Sequence, residues 1–215
     1  MDPDRLTPLL LPAAVPAQVR VWLLDTADGE VPLARLQQAE RERCLRFRQH
    51  ADRVRFAQSR LALRALLGQR LGVSAHTLVF EAAARGKPQL AARDLQFNVS
   101  HSGRYALIAI SDTAPVGIDL ERIDHARPFT ELAERYYAPG ERAACRADPD
   151  AFFHLWSRKE AVVKAWGSGL GDGLPALMAE ASGAATAAAP DATRRPATVW
   201  DIAAVHGYAA ALAIA

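Results

Sequence analysis

The segment most informative about the fold is VGIDLERI, Val116–Ile123. Apolar side chains alternate there with Gly117, Asp119 and Glu121, which is the period of a half-buried β-strand. Because successive side chains of a strand point to opposite faces, Asp119 and Glu121 emerge side by side from one surface. Two carboxylates this close repel each other, so the pattern raises the question of which positive group they face.

A second stretch, FHLWSRKEAVVKAWGSGL at 153–170, has the pattern of a helix that ends at Gly167. Glu160 and Lys164 lie four residues apart and share one face of that helix. Taken alone, they are best explained as an ordinary surface ion pair. Taken with Asp119 and Glu121, Glu160 completes an all-oxygen ligand set of the kind that holds Mg²⁺ beside water and substrate phosphates. The composition does not establish that the helix and the strand meet.

Length and composition fit an ordinary soluble globular protein. The chain has 215 residues, half of them apolar and 23% charged, which suits one large domain or two small ones. It contains no apolar run long enough to span a membrane, and Pro12 and Pro16 interrupt the apolar N-terminal run that could suggest a signal peptide. Cys44 and Cys145 have neither metal-binding nor redox spacing, so we expect a cytoplasmic protein.

The net charge of +2 hides a strongly basic segment. Residues 35–70 contain ten arginines against Glu40, Glu42 and Asp52, a local excess of seven positive charges. Such an excess suggests a phosphate-bearing or acidic partner. A solvated, arginine-rich helix face explains it equally well.

The order of predicted elements suggests an internal repeat. Strands are predicted at 19–25, 77–82, 95–100, 104–111, 116–123, 199–205 and 208–215, and residues 173–198 as loop or edge strand. Helices are predicted at 36–71, with a break near Gln49 and His50, at 129–137 and at 150–166.

Two similar halves account for several matched spacings. Phe56, Arg60 and Arg64 have the same spacing as Trp156, Glu160 and Lys164 one hundred residues later, and tyrosine opens a strand at both 105 and 208. We therefore predict an α+β pseudo-dimer of residues 1–112 and 113–215, with the active site in the cleft between them. One half would hold phosphate and the other metal. Chance similarity of amphipathic helices is the alternative.

Four motifs, taken together and in order, resemble those of one enzyme family. The first half contributes Gly86-Lys87-Pro88 and Phe97-Asn-Val-Ser-His-Ser102, and the second contributes the GxDxE pattern at 117–121 and the WxxKExxxKA pattern at 156–165. This set, spread over Gln38 to Leu170, resembles the 4′-phosphopantetheinyl transferases. The length is similar to that of the surfactin-synthetase-activating (Sfp) type, a monomer of two similar halves.

The resemblance implies an activity and its partners. These enzymes move the phosphopantetheine arm of coenzyme A onto a serine of an apo acyl or peptidyl carrier protein and release adenosine 3′,5′-bisphosphate. Mg²⁺ is the implied cofactor, with Mn²⁺ as the alternative. Nucleic acid and membrane are not expected partners. Carrier proteins are typically acidic, so the basic first half would also steer docking. The sequence leaves open whether the carrier serves fatty-acid, polyketide or nonribosomal-peptide synthesis.

The resemblance also implies roles for particular residues. Asp119, Glu121 and Glu160 would hold the metal against the pyrophosphate, and Glu160 would act as base, directly or through water. The remaining residues are expected to bind coenzyme A: Lys164 and His101 at the pyrophosphate, Ser100, Arg85, Gly86, Lys87 and Pro88 at the adenosine, and Arg43, Arg53, Arg55 and Arg60 at the 3′-phosphate. Glu40 departs from the family pattern, since a lysine is expected there.

Two other functions remain as alternatives. A non-catalytic nucleic-acid-binding protein would use the arginine-rich helix and would bind polynucleotides with a steep salt dependence. It has no use for Asp119, Glu121 and Glu160. A degenerate family member would bind carrier domains without transferring anything, which the presence of all three carboxylates argues against.

Overall fold

The computed structural model describes residues 5–26, 29–82, 88–91, 95–126, 129–168, 174, 177–179, 183–188 and 195–215. Their strands are β1 (Leu6–Pro8), β2 (Val19–Asp25), β3 (Phe80–Ala82), β4 (Pro88–Leu90), β5 (Gln96–Ser102), β6 (Tyr105–Ser111), β7 (Val116–Arg122), β8 (Leu177–Ala179), β9 (Ala184–Ala187), β10 (Ala197–Asp201) and β11 (Tyr208–Ile214). Their helices are α1 (Gln38–Leu45), α2 (His50–Leu71), α3 (Phe129–Tyr136), α4 (Pro139–Ala147) and α5 (Asp150–Trp166).

The two halves share one topology. The first sheet has the order β1-β2-β6-β5, the second has the order β7-β11-β10-β9-β8, and β3 and β4 form a separate hairpin pair. In each half the first long strand pairs antiparallel with the last, and the last pairs with the strand before it, so that β2-β6-β5 matches β7-β11-β10. The long helices α2 and α5 occupy the same place in each half and end at Gly72 and Gly167, both left-handed. The predicted pseudo-duplicated α+β fold is confirmed.

The layers run helix, sheet, sheet, helix. The central core lies between the two sheets and includes Val21, Leu107, Ile118 and Leu212. The opposite face of the first sheet packs against α2, and the opposite face of the second packs against α5. Tyr105 and Tyr208 open matching strands, and their rings meet edge to face with centroids 5.4 Å apart. Among the described residues no helix combines the length and the apolar character that crossing a bilayer requires.

Most of the predicted elements are present at their predicted places. The strand at 19–25, the helix at 150–166 and the break near Gln49 are all confirmed. The strand predicted at 77–82 begins only at Phe80, because Ala75–Thr77 form a single 3₁₀ turn. Residues 173–198 contain β8 and β9, and the rest of that segment lies largely outside the described residues. The strand predicted at 199–205 is Ala197–Asp201 in the structure, and the sequence analysis missed β1, β4 and α4.

Candidate active site

A glycine brings the carboxylate-bearing strand and helix together. A β-carbon on Gly117 would lie 2.0 Å from the carbonyl oxygen of Ala161 and 2.4 Å from the amide nitrogen of Ala165. The backbone of α5 therefore lies directly on β7 only because residue 117 has no side chain. Asp119 and Glu121 share the strand face of Gly117, so they emerge beside the helix. This contact shows that the helix and the strand meet, which the sequence alone did not establish.

The predicted metal ligands line one cavity of about 320 Å³. Its walls are formed by Val99, Ser100, His101, Asp119, Glu121, Trp156, Glu160 and Lys164. The ammonium of Lys164 lies 2.6 Å from Asp119 Oδ1 and donates to the hydroxyl of Ser100 at 3.1 Å. Strand β5, strand β7 and helix α5 thus contribute to the same space, and both halves of the chain take part.

The oxygen atoms of this cavity fit a hard cation. Asp119 Oδ2 and Glu160 Oε1 are buried and have no hydrogen-bond partner. A buried carboxylate oxygen without a partner is unfavourable unless a positive group meets it. Within the part of the chain that the structure describes, no three His, Cys, Asp or Glu side chains already stand at metal-binding distance. The two unpartnered oxygens suit a divalent cation that takes few protein ligands and completes its shell with water and substrate phosphates.

Burial shifts the proton affinities of two cavity residues. Burial raises the pKa of Glu160, and the neighbouring charge of Asp119 adds to the rise, while Lys164 opposes it. The ring of His101 is exposed at the cavity mouth, yet partial burial lowers its pKa, and the positive charges of Arg55 and Lys164 act in the same direction. A lowered pKa favours the neutral imidazole at neutral pH.

A second cavity, of about 150 Å³, continues from the first. It is lined by Arg43, Phe56, Ser59, Arg60, Leu63, Pro88, Val99 and His101. Val99 and His101 line both cavities, so the two are adjacent, and we call them together the groove, with arginines at one end and carboxylates at the other. Arg60 Nη1 is buried without a hydrogen-bond partner, and burial lowers the pKa of Arg60 to about 10, so it stays charged at neutral pH.

Comparison with known families decides the identity of the chain. Residues 115–213 match the model of the 4′-phosphopantetheinyl transferase superfamily, and residues 21–114 match that of the N-terminal part of a 4′-phosphopantetheinyl transferase. The chain belongs to the 4′-phosphopantetheinyl transferase superfamily. The resemblance predicted from the four motifs is confirmed, and the protein is an enzyme of this transferase family.

Individual transferases are similar over most of their length. The transferase HetI of Nostoc sp. is 37% identical over 166 residues, which cover 71% of this chain and 70% of HetI. Sfp of Bacillus subtilis is 30% identical over 154 residues, which cover 68% of this chain and 67% of Sfp. The transferase psf-1 of Bacillus pumilus is 35% identical over 155 residues, 68% of this chain and 65% of psf-1. The alternative of a non-catalytic nucleic-acid-binding protein finds no support among these matches.

In this transferase, the carboxylate of Glu40 pairs with two arginines of α2, Arg60 and Arg64. Arg64 Nε donates to Glu40 Oε1 at 2.9 Å and to Oε2 at 3.1 Å, and Arg60 Nε lies 3.6 Å from Oε1. Glu40 and Arg64 are buried, and the side chain of Arg60 is nine-tenths buried. Glu40 therefore neutralises part of the positive charge of Arg60 and Arg64. Arg43 and Arg60 remain at the cavity wall.

Several predicted ligands of coenzyme A stay predictions. Arg53 donates to the carbonyl of Phe47 at 2.8 Å, whereas Arg55 donates to the carbonyl of Gly103 at 2.7 Å and also pairs with Asp52. Neither arginine is among the described residues that line the groove. Pro88 lines its arginine end. Arg85, Gly86 and Lys87 lie outside the described residues.

Sequence analysis missed the polar side chains that join β5 to β7. Three backbone amides of β7 donate to them: Ile118 to Asn98 Oδ1 (2.9 Å), Leu120 to Ser100 Oγ (3.3 Å) and Arg122 to Ser102 Oγ (3.0 Å). We call Asn98, Ser100 and Ser102 the side-chain ladder. The signal was present in the sequence, because three small polar residues at alternate positions of FNVSHS share one face of a strand.

Proposed function

We propose that this transferase moves the 4′-phosphopantetheine arm of coenzyme A onto a serine hydroxyl of an apo acyl or peptidyl carrier protein. The products would be the holo carrier and adenosine 3′,5′-bisphosphate. The observation that carries the proposal is the single groove whose arginine end and carboxylate end meet at Val99 and His101. Coenzyme A has phosphate groups at two separate places, and such a groove offers a different chemistry to each.

The arginine end would hold the 3′-phosphate of coenzyme A. Arg43 and Arg60 both face Phe56, with guanidinium carbons 5.5 and 5.7 Å from its ring centroid. A guanidinium that is held against a ring keeps its orientation, and its planar fork matches phosphate oxygens. The buried, unpartnered Nη1 of Arg60 would gain an acceptor when the phosphate binds.

The carboxylate end would hold Mg²⁺ and the pyrophosphate. Asp119, Glu121 and Glu160 would be the metal ligands, and Mn²⁺ would bind to the same oxygens. When bound, the cation would neutralise charge that develops on the phosphate oxygens during transfer. Lys164 would exchange its contact with Asp119 for one with the pyrophosphate, and His101 would donate a hydrogen bond to it from the junction of the two cavities.

The reaction would exchange one phosphorus–oxygen bond for another and transfer one proton. The serine oxygen bonds to the phosphorus that carries pantetheine, as the bond from that phosphorus to the bridging oxygen breaks. The serine proton passes to the carboxylate of Glu160, directly or through a water molecule, and the bridging oxygen leaves with adenosine 3′,5′-bisphosphate. Burial raises the pKa of Glu160 in the metal-free protein, and a bound cation would act in the opposite direction.

One chain contributes both ends of the groove, so we propose that the enzyme works as a monomer. Carrier proteins are acidic, and the exposed arginines of the first half would attract them over long distances. The surface of α1 and the turn after it carry four of these, at positions 41, 43, 46 and 48.

The test is incubation with coenzyme A, Mg²⁺ and a panel of apo carriers from fatty-acid, polyketide and nonribosomal-peptide pathways. Mass spectrometry of each intact carrier would reveal the added phosphopantetheine. We expect transfer to at least one carrier, its loss with a metal chelator, and little transfer by a folded Glu160→Gln variant. Near-normal labelling by that variant would remove Glu160 from the mechanism, and a panel with no mass gain would refute the proposal.

A further inference from the structure

Strand β7 has an edge that no strand of the described structure pairs with. Its other edge pairs with β11 along its whole length, and Ile123 N continues that pairing by donating to Gly207 O. Amides at an open sheet edge need other partners. Here the side-chain ladder of Asn98, Ser100 and Ser102 accepts from every second amide of β7. The ladder therefore replaces a neighbouring strand and holds β7 in register with β5.

Two rungs of the ladder also bind the carboxylates of the cavity. Ser100 Oγ donates to Asp119 Oδ1 at 2.9 Å, and Ser102 Oγ donates to Glu121 Oε2 at 3.3 Å. Each hydroxyl thus accepts from the amide of one β7 residue and donates to the carboxylate of the residue before it. A hydroxyl has one proton and two lone pairs, so both bonds can form at once.

This repeated geometry fixes one oxygen of each carboxylate. At Asp119, Oδ1 accepts from Ser100 and Lys164, whereas Oδ2 is buried without a hydrogen bond. At Glu121, the bond from Ser102 fixes Oε2. Glutamate has more rotatable bonds than aspartate, so its orientation depends more strongly on such a contact.

We propose that Ser102 is a positioning residue for Glu121: its hydroxyl ties the carboxylate to the amide of Arg122 and so sets the orientation in which Glu121 binds the cation. Ser100 does the same for Asp119. The inference rests on the proposed function of the cavity as a metal site. Hydrogen bonds that orient metal ligands typically change metal affinity by about 10- to 100-fold when they are removed.

The third rung supplies a matched control. Asn98 accepts from the amide of Ile118, but the residue before Ile118 is Gly117, which has no side chain to orient. Asn98→Ala and Ser102→Ala therefore each remove one rung between β5 and β7, while only Ser102→Ala releases a carboxylate. A purely structural ladder would make the two variants alike.

The experiment titrates Mn²⁺ into each protein with saturating coenzyme A and no carrier, and reads free Mn²⁺ by electron paramagnetic resonance. Melting temperatures are measured in parallel with a chelator. We expect Ser102→Ala to raise the Kd for Mn²⁺ by about tenfold and Asn98→Ala to change it by less than about twofold, although both lower the melting temperature. Ser102→Thr keeps the hydroxyl and should bring the Kd back to within about threefold of the wild-type value.

Equal Kd values for wild type and Ser102→Ala, or equal losses in Ser102→Ala and Asn98→Ala, would overturn the inference while leaving the metal site in place. If Ser102→Ala does not fold, Ser102→Cys serves instead, since it keeps the volume and weakens the hydrogen bond. Wild-type protein that binds Mn²⁺ no more tightly than Glu160→Gln would overturn the proposed metal site, and this inference with it.

Discussion

Replacing Gly117 by alanine would separate the strand and the helix that build the site. The new methyl carbon would lie 2.0 Å from Ala161 O and 2.4 Å from Ala165 N, whereas ordinary van der Waals contact begins near 3.4 Å. Both neighbours are backbone atoms of α5, so no side-chain rotation can relieve the overlap. The helix or the strand must shift by about 1 Å, because close-packed interiors hold no spare volume.

The shift should lower both stability and activity. Overpacking of a core costs about 1–3 kcal/mol in the free energy of unfolding, and we expect about 3 kcal/mol here because backbone must move. For a chain of this length that corresponds to a melting temperature lower by about 6–12 °C. The displaced helix carries Glu160 and Lys164, and a misplacement of about 1 Å can cost roughly 100-fold in rate.

Urea unfolding and the rate of carrier labelling would measure the two effects. Gly140→Ala is the matched control, because a β-carbon on Gly140 in α4 has no atom within 4 Å. Alanine in a helix is favoured over glycine by about 0.5–1 kcal/mol, so this variant should be at least as stable as wild type and fully active. If the free energy of unfolding of Gly117→Ala lies within about 0.5 kcal/mol of the wild-type value and the variant labels carriers at the wild-type rate, the close contact has no functional role.

Three further predictions concern charge. Glu40→Ala leaves two buried guanidinium groups without their carboxylate and should lower the free energy of unfolding in urea by about 3 kcal/mol; a loss below about 1 kcal/mol would contradict the buried cluster. Glu160 must be ionised to act, and burial raises its pKa in the metal-free protein, so at subsaturating Mg²⁺ the transfer rate should fall with decreasing pH earlier than for an exposed glutamate; a pH–rate profile with no such early fall would argue against its role. Charge reversal of the exposed residues Arg41 and Arg48 should slow association with an acidic carrier and flatten its salt dependence in stopped-flow mixing, with kcat unchanged; identical association rates would dismiss electrostatic steering.

The elements of the site could be predicted from the sequence because their signals are local. Alternation marks β7, helical spacing with a glycine stop marks α5, and the matched spacing of Phe56 and Trp156 marks the two halves. The meeting of β7 with α5 could not be predicted in the same way. It depends on what lies above Gly117, and a glycine in a strand is compatible with a bulge or a bend as well as with a close helix.

The distribution of the arginines was the least predictable part. Ten arginines in one segment indicate an anionic ligand or protein partner. The group that each arginine binds within the fold, however, is distant in sequence or is a backbone atom. Arg53 and Arg55 donate to the backbone carbonyl oxygens of Phe47 and Gly103. Every residue has such a carbonyl, so the sequence does not indicate which one an arginine will bind. Glu40 looks like a departure from a family pattern, yet the structure makes it the buried counter-ion of Arg64.

The strands β1 and β9 distinguish one side of the pseudo-symmetric fold from the other. A perfectly symmetric fusion would have two equivalent grooves, the second running between the counterparts of β5 and β7, which are β10 and β2. In this chain β9 covers the edge of β10 and β1 covers the edge of β2. Among the described residues, both edges that would border a second groove are therefore paired, and the pseudo-symmetry of the fold does not extend to its open edges.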